Sequence, residues 1–163
     1  MRILALDVGE RRIGVAISDP TGTIASPVAV IERGSGSGHL DEILRLAREH
    51  EAERILVGIP ISMDGVAREQ AARVQQFVAE LAQRSPVPVA TCDERLSTVE
   101  AQRRMRESGA SARRRREMVD AVAAAVILQA YLDAGKGQGS RYEAQGPGCE
   151  AQGAGSEGQD PPP

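Results

Sequence analysis

The sequence predicts a three-layer α/β fold, a mixed sheet with helices on both faces. Three observations carry that reading. The first 31 residues hold three short apolar runs separated by turn residues. From residue 40 onward, apolar stripes of helical period alternate with further short apolar runs. Aromatic residues are nearly absent, with no Trp, one Phe (Phe77) and two Tyr (Tyr131 and Tyr142). The core must therefore be Ile, Leu, Val and Ala, which suits strands buried on both faces beneath covering helices.

Arg2–Asp7 (RILALD) is an apolar run with no helical signal and reads as the first strand. Gly9-Glu10-Arg11 turns the chain, and Ile13–Ser18 (IGVAIS) returns as the second strand. Asp19-Pro20-Thr21-Gly22 makes another turn before a third strand, Thr23–Ile31. Pro27 removes a ladder donor and places that strand at a sheet edge. Leu40, Ile43, Leu44 and Ala47 then mark a helix, with Asp41 and Glu42 near its N-terminus, where the helix dipole favours acids. Arg54–Ile59 is a buried strand ended by Pro60, and Val66 to about Arg84 is an amphipathic helix. Val87–Cys92 is the fifth strand. Ser97-Thr98-Val99-Glu100 fits a capping box opening a helix that Gly109 stops, and Ser111 caps a last helix running to about Leu132. The order βββαβαβαα is a meander followed by parallel β–α units.

With 163 residues, the chain suits one domain and a tail. Residues 136–163 contain no Ile, Leu, Val, Met or Phe while Gly and Pro recur, so they are expected to be disordered beyond a folded domain at 1–135. No run approaches the ~20 apolar residues of a membrane span, and the start, MRILALDVGE, lacks a signal-peptide pattern. A cytoplasmic protein without membrane contact is expected. Cys92 and Cys149 make no disulfide framework, and His39 and His50 have no neighbouring cysteine for a zinc site. The scarcity of aromatics disfavours nucleic-acid binding by base-stacking platforms of the RRM or OB type.

The chemistry lies in carboxylates. Asp7 ends the first strand, where an acid after an apolar run is costly unless solvated or paired, and Gly9 permits a tight turn and close ligand approach. Asp93 and Glu94 follow the fifth strand, and ligand sites in parallel α/β sheets lie beyond the carboxyl ends of strands. Asp120 stands in the most apolar helix, on a face with Ala123, Ala124 and Ile127 that can lie close to the sheet. Each has a bland alternative, as turn residue, solvated partner of Arg95 or helix-terminal acid. Together, clustered carboxylates stay ionised only beside cations, and oxygen ligands suit Mg²⁺ or Mn²⁺. Asp7, Asp93, Glu94 and Asp120 are thus candidate ligands of two ions and candidate catalytic groups in a phosphodiester hydrolysis, with Asp93 and Glu94 as alternatives for the middle acid. Of 20 basic residues only Lys136 is lysine. Guanidinium groups suit phosphate, and Arg11, Arg12 and Arg95 beside the acids are candidate substrate contacts. The runs Arg103–Arg106 and Arg113–Arg116 read equally as solvated helix faces.

Leu4–Asp19 (LALDVGERRIGVAISD), Val57–Gly65 (VGIPISMDG), Asp93–Thr98 (DERLST) and Val119–Gln129 (VDAVAAAVILQ) resemble the YqgF/RuvX family of pre-16S rRNA nucleases, also described as Holliday-junction-resolvase-like. The resemblance spans about residues 1–134. It implies an RNase H-like three-layer fold with a five-stranded mixed sheet in the order 3-2-1-4-5. It also implies a metal-dependent endonuclease maturing the 5′ end of pre-16S rRNA in ribosome biogenesis, with nucleic acid (structured or precursor rRNA, or branched DNA) and ribosomal particles as partners, acting as monomer or homodimer. By the same resemblance Asp7 is the first-strand acid, Glu94 with Asp93 the middle acid, and Asp120 the helix acid. One departure stands out. In better-known resolvases of this fold the middle acid ends the fourth strand, whereas here that strand ends Gly58-Ile59-Pro60. Asp64, in the following loop, is a substitute, and the Gly-Ile-Pro stretch would then shape a substrate channel. Other readings are a junction resolvase, a non-catalytic RNA-binding ribosome-assembly factor, and an actin-like phosphotransferase. The last needs two such domains, and 134 residues supply one.

Overall fold

The computed structural model describes residues 1–59, 65–93, 119–135 and 144–145. Along the chain these form β1 (Ile3–Val8), β2 (Arg12–Ser18), β3 (Ala25–Glu32), α1 (Gly38–Glu49), β4 (Arg54–Ile59), α2 (Gly65–Arg84), β5 (Val89–Asp93), α3 (Val119–Gly135) and β6 (Ala144–Gln145). The expected helix from Ser97, the start of the last helix at 111–118, and Asp64, Glu94 and Arg95 lie outside the described residues.

The sheet order is β3-β2-β1-β4-β5-β6. β1, β2 and β3 form the expected antiparallel meander, and β4 and β5 add in parallel beside β1. The expected order 3-2-1-4-5 is observed, and the structure appends a sixth, two-residue strand. Ala144 and Gln145 pair antiparallel with Ala90 and Val89 of β5. Otherwise residues 136–163, and with them the expected disorder, lie outside the described residues.

Strand alternation sorts the core into two layers. Leu4, Leu6, Ile13, Val15, Ile55 and Val57 face α1 and α2 through Leu40, Ile43, Phe77 and Leu81. Ile3, Ala5, Ala16, Leu56, Ala90 and Cys92 face α3 through Ala124, Ala125 and Leu128. The small residues of the second set let α3 lie low across β1, β2 and β3. Pro27 falls on the edge strand as expected, opposite Ala16 at an irregularity where the β2–β3 register shifts.

Two strands begin later than their apolar runs, because side chains capture the backbone first. Asp19 Oδ1 accepts from the backbone N–H of Thr23 (2.7 Å) and Ile24 (2.9 Å), so β3 starts at Ala25. Ser85 Oγ donates to Val87 O (2.7 Å) and accepts from Val87 N (3.2 Å), so β5 starts after Pro88.

Gln129 is the polar anchor of α3. Its side chain is buried, accepts from Ala25 N (3.0 Å) and donates to Thr23 O (3.0 Å) and Asp133 Oδ1 (3.2 Å). Gln129→Leu orphans the buried Ala25 N–H at the start of β3 and frees Thr23 O just before it. It is expected to lower the unfolding free energy in urea by about 2 to 4 kcal/mol.

Candidate active site

Asp7 is the fifth residue of β1, near the end where parallel-sheet ligand sites form. Its Cα partner across the ladder is Gly14 of β2. A Cβ at Gly14 would lie 1.8 Å from the carbonyl oxygen of Asp120 and 2.2 Å from its carbonyl carbon. The backbone of α3 therefore rests directly on β2 at the one position without a side chain, which sets Asp120 beside Asp7. This juxtaposition is the centre of the site.

Its electrostatics follow from the geometry. Burial pushes the Asp7 carboxyl above its ordinary range, and the negative charge of Asp120 pushes it further the same way. Asp120 is about one-third exposed, and Arg12 Nε stands 3.9 Å from its Oδ2. At that distance, with Arg12 mostly exposed, the pair contributes about 0–1 kcal/mol. Two carboxylates thus meet with one loosely held guanidinium beside them.

The β1–β2 turn is tied down rather than free. Gly9 N donates to Arg12 O (2.9 Å), and a Cβ at Gly9 would lie 2.8 Å from that same oxygen. Arg33 supports the turn twice, its backbone N–H donating to Arg11 O (2.8 Å) and its Nη1 to Gly9 O (2.9 Å). Glu10 is held by Arg73 Nη1 at 3.1 Å. Arg11, in the same turn, is exposed.

Asp93 is the last residue of β5, paired with Ile59 of β4. Its backbone reaches the same sheet edge, but β4 stands between β5 and β1, about 10 Å at ordinary strand spacing. The structure therefore joins Asp7, Asp120 and Arg12, leaves Arg11 exposed in the turn, and leaves Asp93 two strands away. Among the described residues, no group of three or more His, Cys, Asp or Glu is arranged to hold a metal ion. Sequence reasoning missed Gly14, Arg33 and Arg73. A glycine inside an otherwise apolar strand was the available signal for Gly14; the two arginines had none.

Among the described residues, no helix is long and apolar enough to cross a membrane. A family model described as "RuvX: Holliday junction resolvase" matches residues 1–134. A protein of Roseiflexus sp. (strain RS-1) is 47% identical over 133 residues, covering 82% of this chain and 94% of its own length. One of Chloroflexus aggregans (strain MD-66 / DSM 9485) is 46% identical over 132 residues, covering 81% and 93%. Each is named "Putative pre-16S rRNA nuclease". Among solved structures, Thermus thermophilus RuvC in complex with a Holliday junction substrate superposes with a TM-score of 0.54 at 15% identity, covering 83% of this chain and 96% of that one. That likeness shows the fold, an RNase H-like one, while the family match and the relatives' identity go further: the chain belongs to the RuvX family.

Proposed function

We propose that this protein is a metal-dependent endonuclease that hydrolyses phosphodiester bonds of precursor rRNA, the 5′ end of pre-16S rRNA in the cytoplasm being its substrate. The observation that carries the reading is the meeting of Asp7 and Asp120 across Gly14. The names borne by its relatives agree with it.

The donor set fits a hard divalent cation. Two carboxylates, one raised by burial and by the other's charge, resist simultaneous ionisation unless positive charge stands between them. Asp7 and Asp120, completed by Glu94 or Asp93, would hold Mg²⁺ or Mn²⁺. When bound, such ions supply Lewis acidity and neutralise charge on the phosphodiester. The chain's own residues do the rest. Asp7, half-buried at the strand end, would fix where the cation is held, and so which phosphate of the strand is reached. Arg12, weakly engaged by Asp120, turns to the phosphate oxygens. Arg11 and Arg95 hold the flanking backbone.

The family model's description favours a second reading, resolution of four-way DNA junctions. Symmetric incision needs two sites, so that reading requires a homodimer, while cutting an RNA strand needs only a monomer. The test is cleavage of precursor 16S rRNA and of a four-way DNA junction, with Mg²⁺ and Mn²⁺ titrated. RNA cleavage at a defined position is expected. Paired incision of the junction without RNA cleavage would transfer the assignment to resolvase. Tight, salt-sensitive RNA binding without any cleavage would leave a ribosome-assembly factor.

A further inference from the structure

On the face of the sheet opposite Asp120, a cavity of about 530 Å³ opens between Val8, the turn after β1 and the helices α1 and α2. Phe77, 3% exposed, is its floor. The guanidinium of Arg33 lies 5.6 Å from the Phe77 centroid, and the His39 ring stacks on the same Phe at 6.0 Å and 17°. Arg33 is held in place by its bond to Gly9 O. Gln70 and Gln76 of α2 supply amides that both donate and accept.

The chemistry of this lining selects among ligands. Arg33 and Arg73 are balanced by Glu10 and Glu80, so a bare phosphate gains little from it. Burial, and next the charge of Arg33, hold the His39 pKa below its ordinary value, so the ring adds no positive charge at neutral pH. A fixed guanidinium plane beside amide groups instead matches a flat heterocycle with hydrogen-bonding edges. The volume is that of a small-ligand site. Gly9 and Glu10 line the cavity and lie two and three residues after Asp7, so a strand held at Asp7 can drop a base around the turn into it.

We propose that this cavity takes one unpaired nucleobase of the RNA strand, belonging to a nucleotide beside the phosphate held at Asp7. The inference rests on the nuclease reading for its choice of strand. It differs in what it demands, because base capture is measured without cleavage. The full chain, free of divalent cations, is titrated with the four nucleoside monophosphates, ribose 5-phosphate and inorganic phosphate, following the Gln70 and Gln76 side-chain amides by NMR. At least one nucleotide should move both amides and bind about tenfold or more tightly than ribose 5-phosphate. Arg33→Ala should remove that margin, as should Gln76→Ala at an exposed helix position if Arg33→Ala unsettles the fold. Oligoadenylate should likewise bind about tenfold more tightly than an abasic backbone of equal charge, with the difference lost in the same variants. Equal binding of nucleotide and ribose 5-phosphate overturns the proposal. Nucleotides that bind while the oligonucleotide shows no base effect also overturn it, by making the ligand a free nucleotide. A protein that captures bases yet cuts no RNA would sink the nuclease reading and leave the cavity assignment standing.

Discussion

Asp7→Asn is expected to lower RNA cleavage by more than about a hundredfold and, without divalent cations, to raise the melting temperature at pH 7. The two effects have one origin. Asp7 has a folded-state pKa above its ordinary value, because burial and then the charge of Asp120 oppose its ionisation. A group raised in this way contributes stability fully below its unfolded pKa, and that contribution is lost as pH rises through the folded value. At neutral pH the ionised carboxylate therefore works against the fold, and an uncharged amide of the same shape relieves it. The gain should shrink as pH falls toward about 3, where Asp7 is protonated in both states. Adding Mg²⁺ should stabilise the parent protein and leave Asp7→Asn nearly unchanged, since only a folded site that binds the ion is stabilised by it. Thermal unfolding at both pH values, with and without Mg²⁺, separates these outcomes. A variant that melts lower at pH 7 without metal would remove the electrostatic basis of the site. Asp120→Asn should lose cleavage comparably and, without divalent cations, leave stability at pH 7 unchanged or slightly raised, because it gives up the long, exposed contact to Arg12 while removing a charge that opposes ionisation of Asp7.

The architecture was legible where strands are buried on both faces. RILALD, IGVAIS and RILVGI carry no helical period and appear as β1, β2 and β4, the last with the bounds read from sequence. It was less legible where a polar side chain intercepts the backbone. Thr23 and Val87 belong to apolar runs, yet Asp19 and Ser85 take their hydrogen bonds before the sheet can. That competition is invisible to a hydrophobic pattern. β6 escaped for a related reason: two residues in a Gly- and Pro-rich tail carry no period at all.

The site divides along the same line. Asp7 and Asp120 were identifiable because a carboxylate amid aliphatic residues is costly and so conspicuous. Their meeting rests on strand register and on the missing side chain at Gly14, neither of which is a property of the acids themselves. The cavity under the turn was not legible at all. Arg33 follows β3, His39 lies in α1, and Gln70 and Arg73 lie one turn apart on α2; no spacing along the chain joins these three groups, which acquire meaning only once the fold gathers them around one cavity, with Arg33 and His39 against Phe77.

Gly14→Ala is expected to destabilise the protein by about 3 kcal/mol or more, the upper end of overpacking costs, and to abolish cleavage in whatever fraction still folds. The atoms that an added methyl would strike, the carbonyl oxygen and carbon of Asp120 and the amide nitrogen of Ala121, are all backbone, at 1.8, 2.2 and 2.8 Å. No side-chain rotation can relieve such contacts, so α3 must lift from β2 or the strand must bend. Gln129 resists the first movement, because it pins the same helix to the start of β3. The pairing of Gly14 on both sides, with Asp7 of β1 and Val30 of β3, resists the second. Either movement draws Asp120 away from Asp7, so the stabilisation by Mg²⁺ seen in the parent should fall along with activity. Urea unfolding gives the first quantity, and Mg²⁺-dependent melting gives the second. If Gly14→Ala retained both parent stability and the full Mg²⁺ effect, the carboxylates would not owe their proximity to this contact, and Asp120 would lose its place beside Asp7.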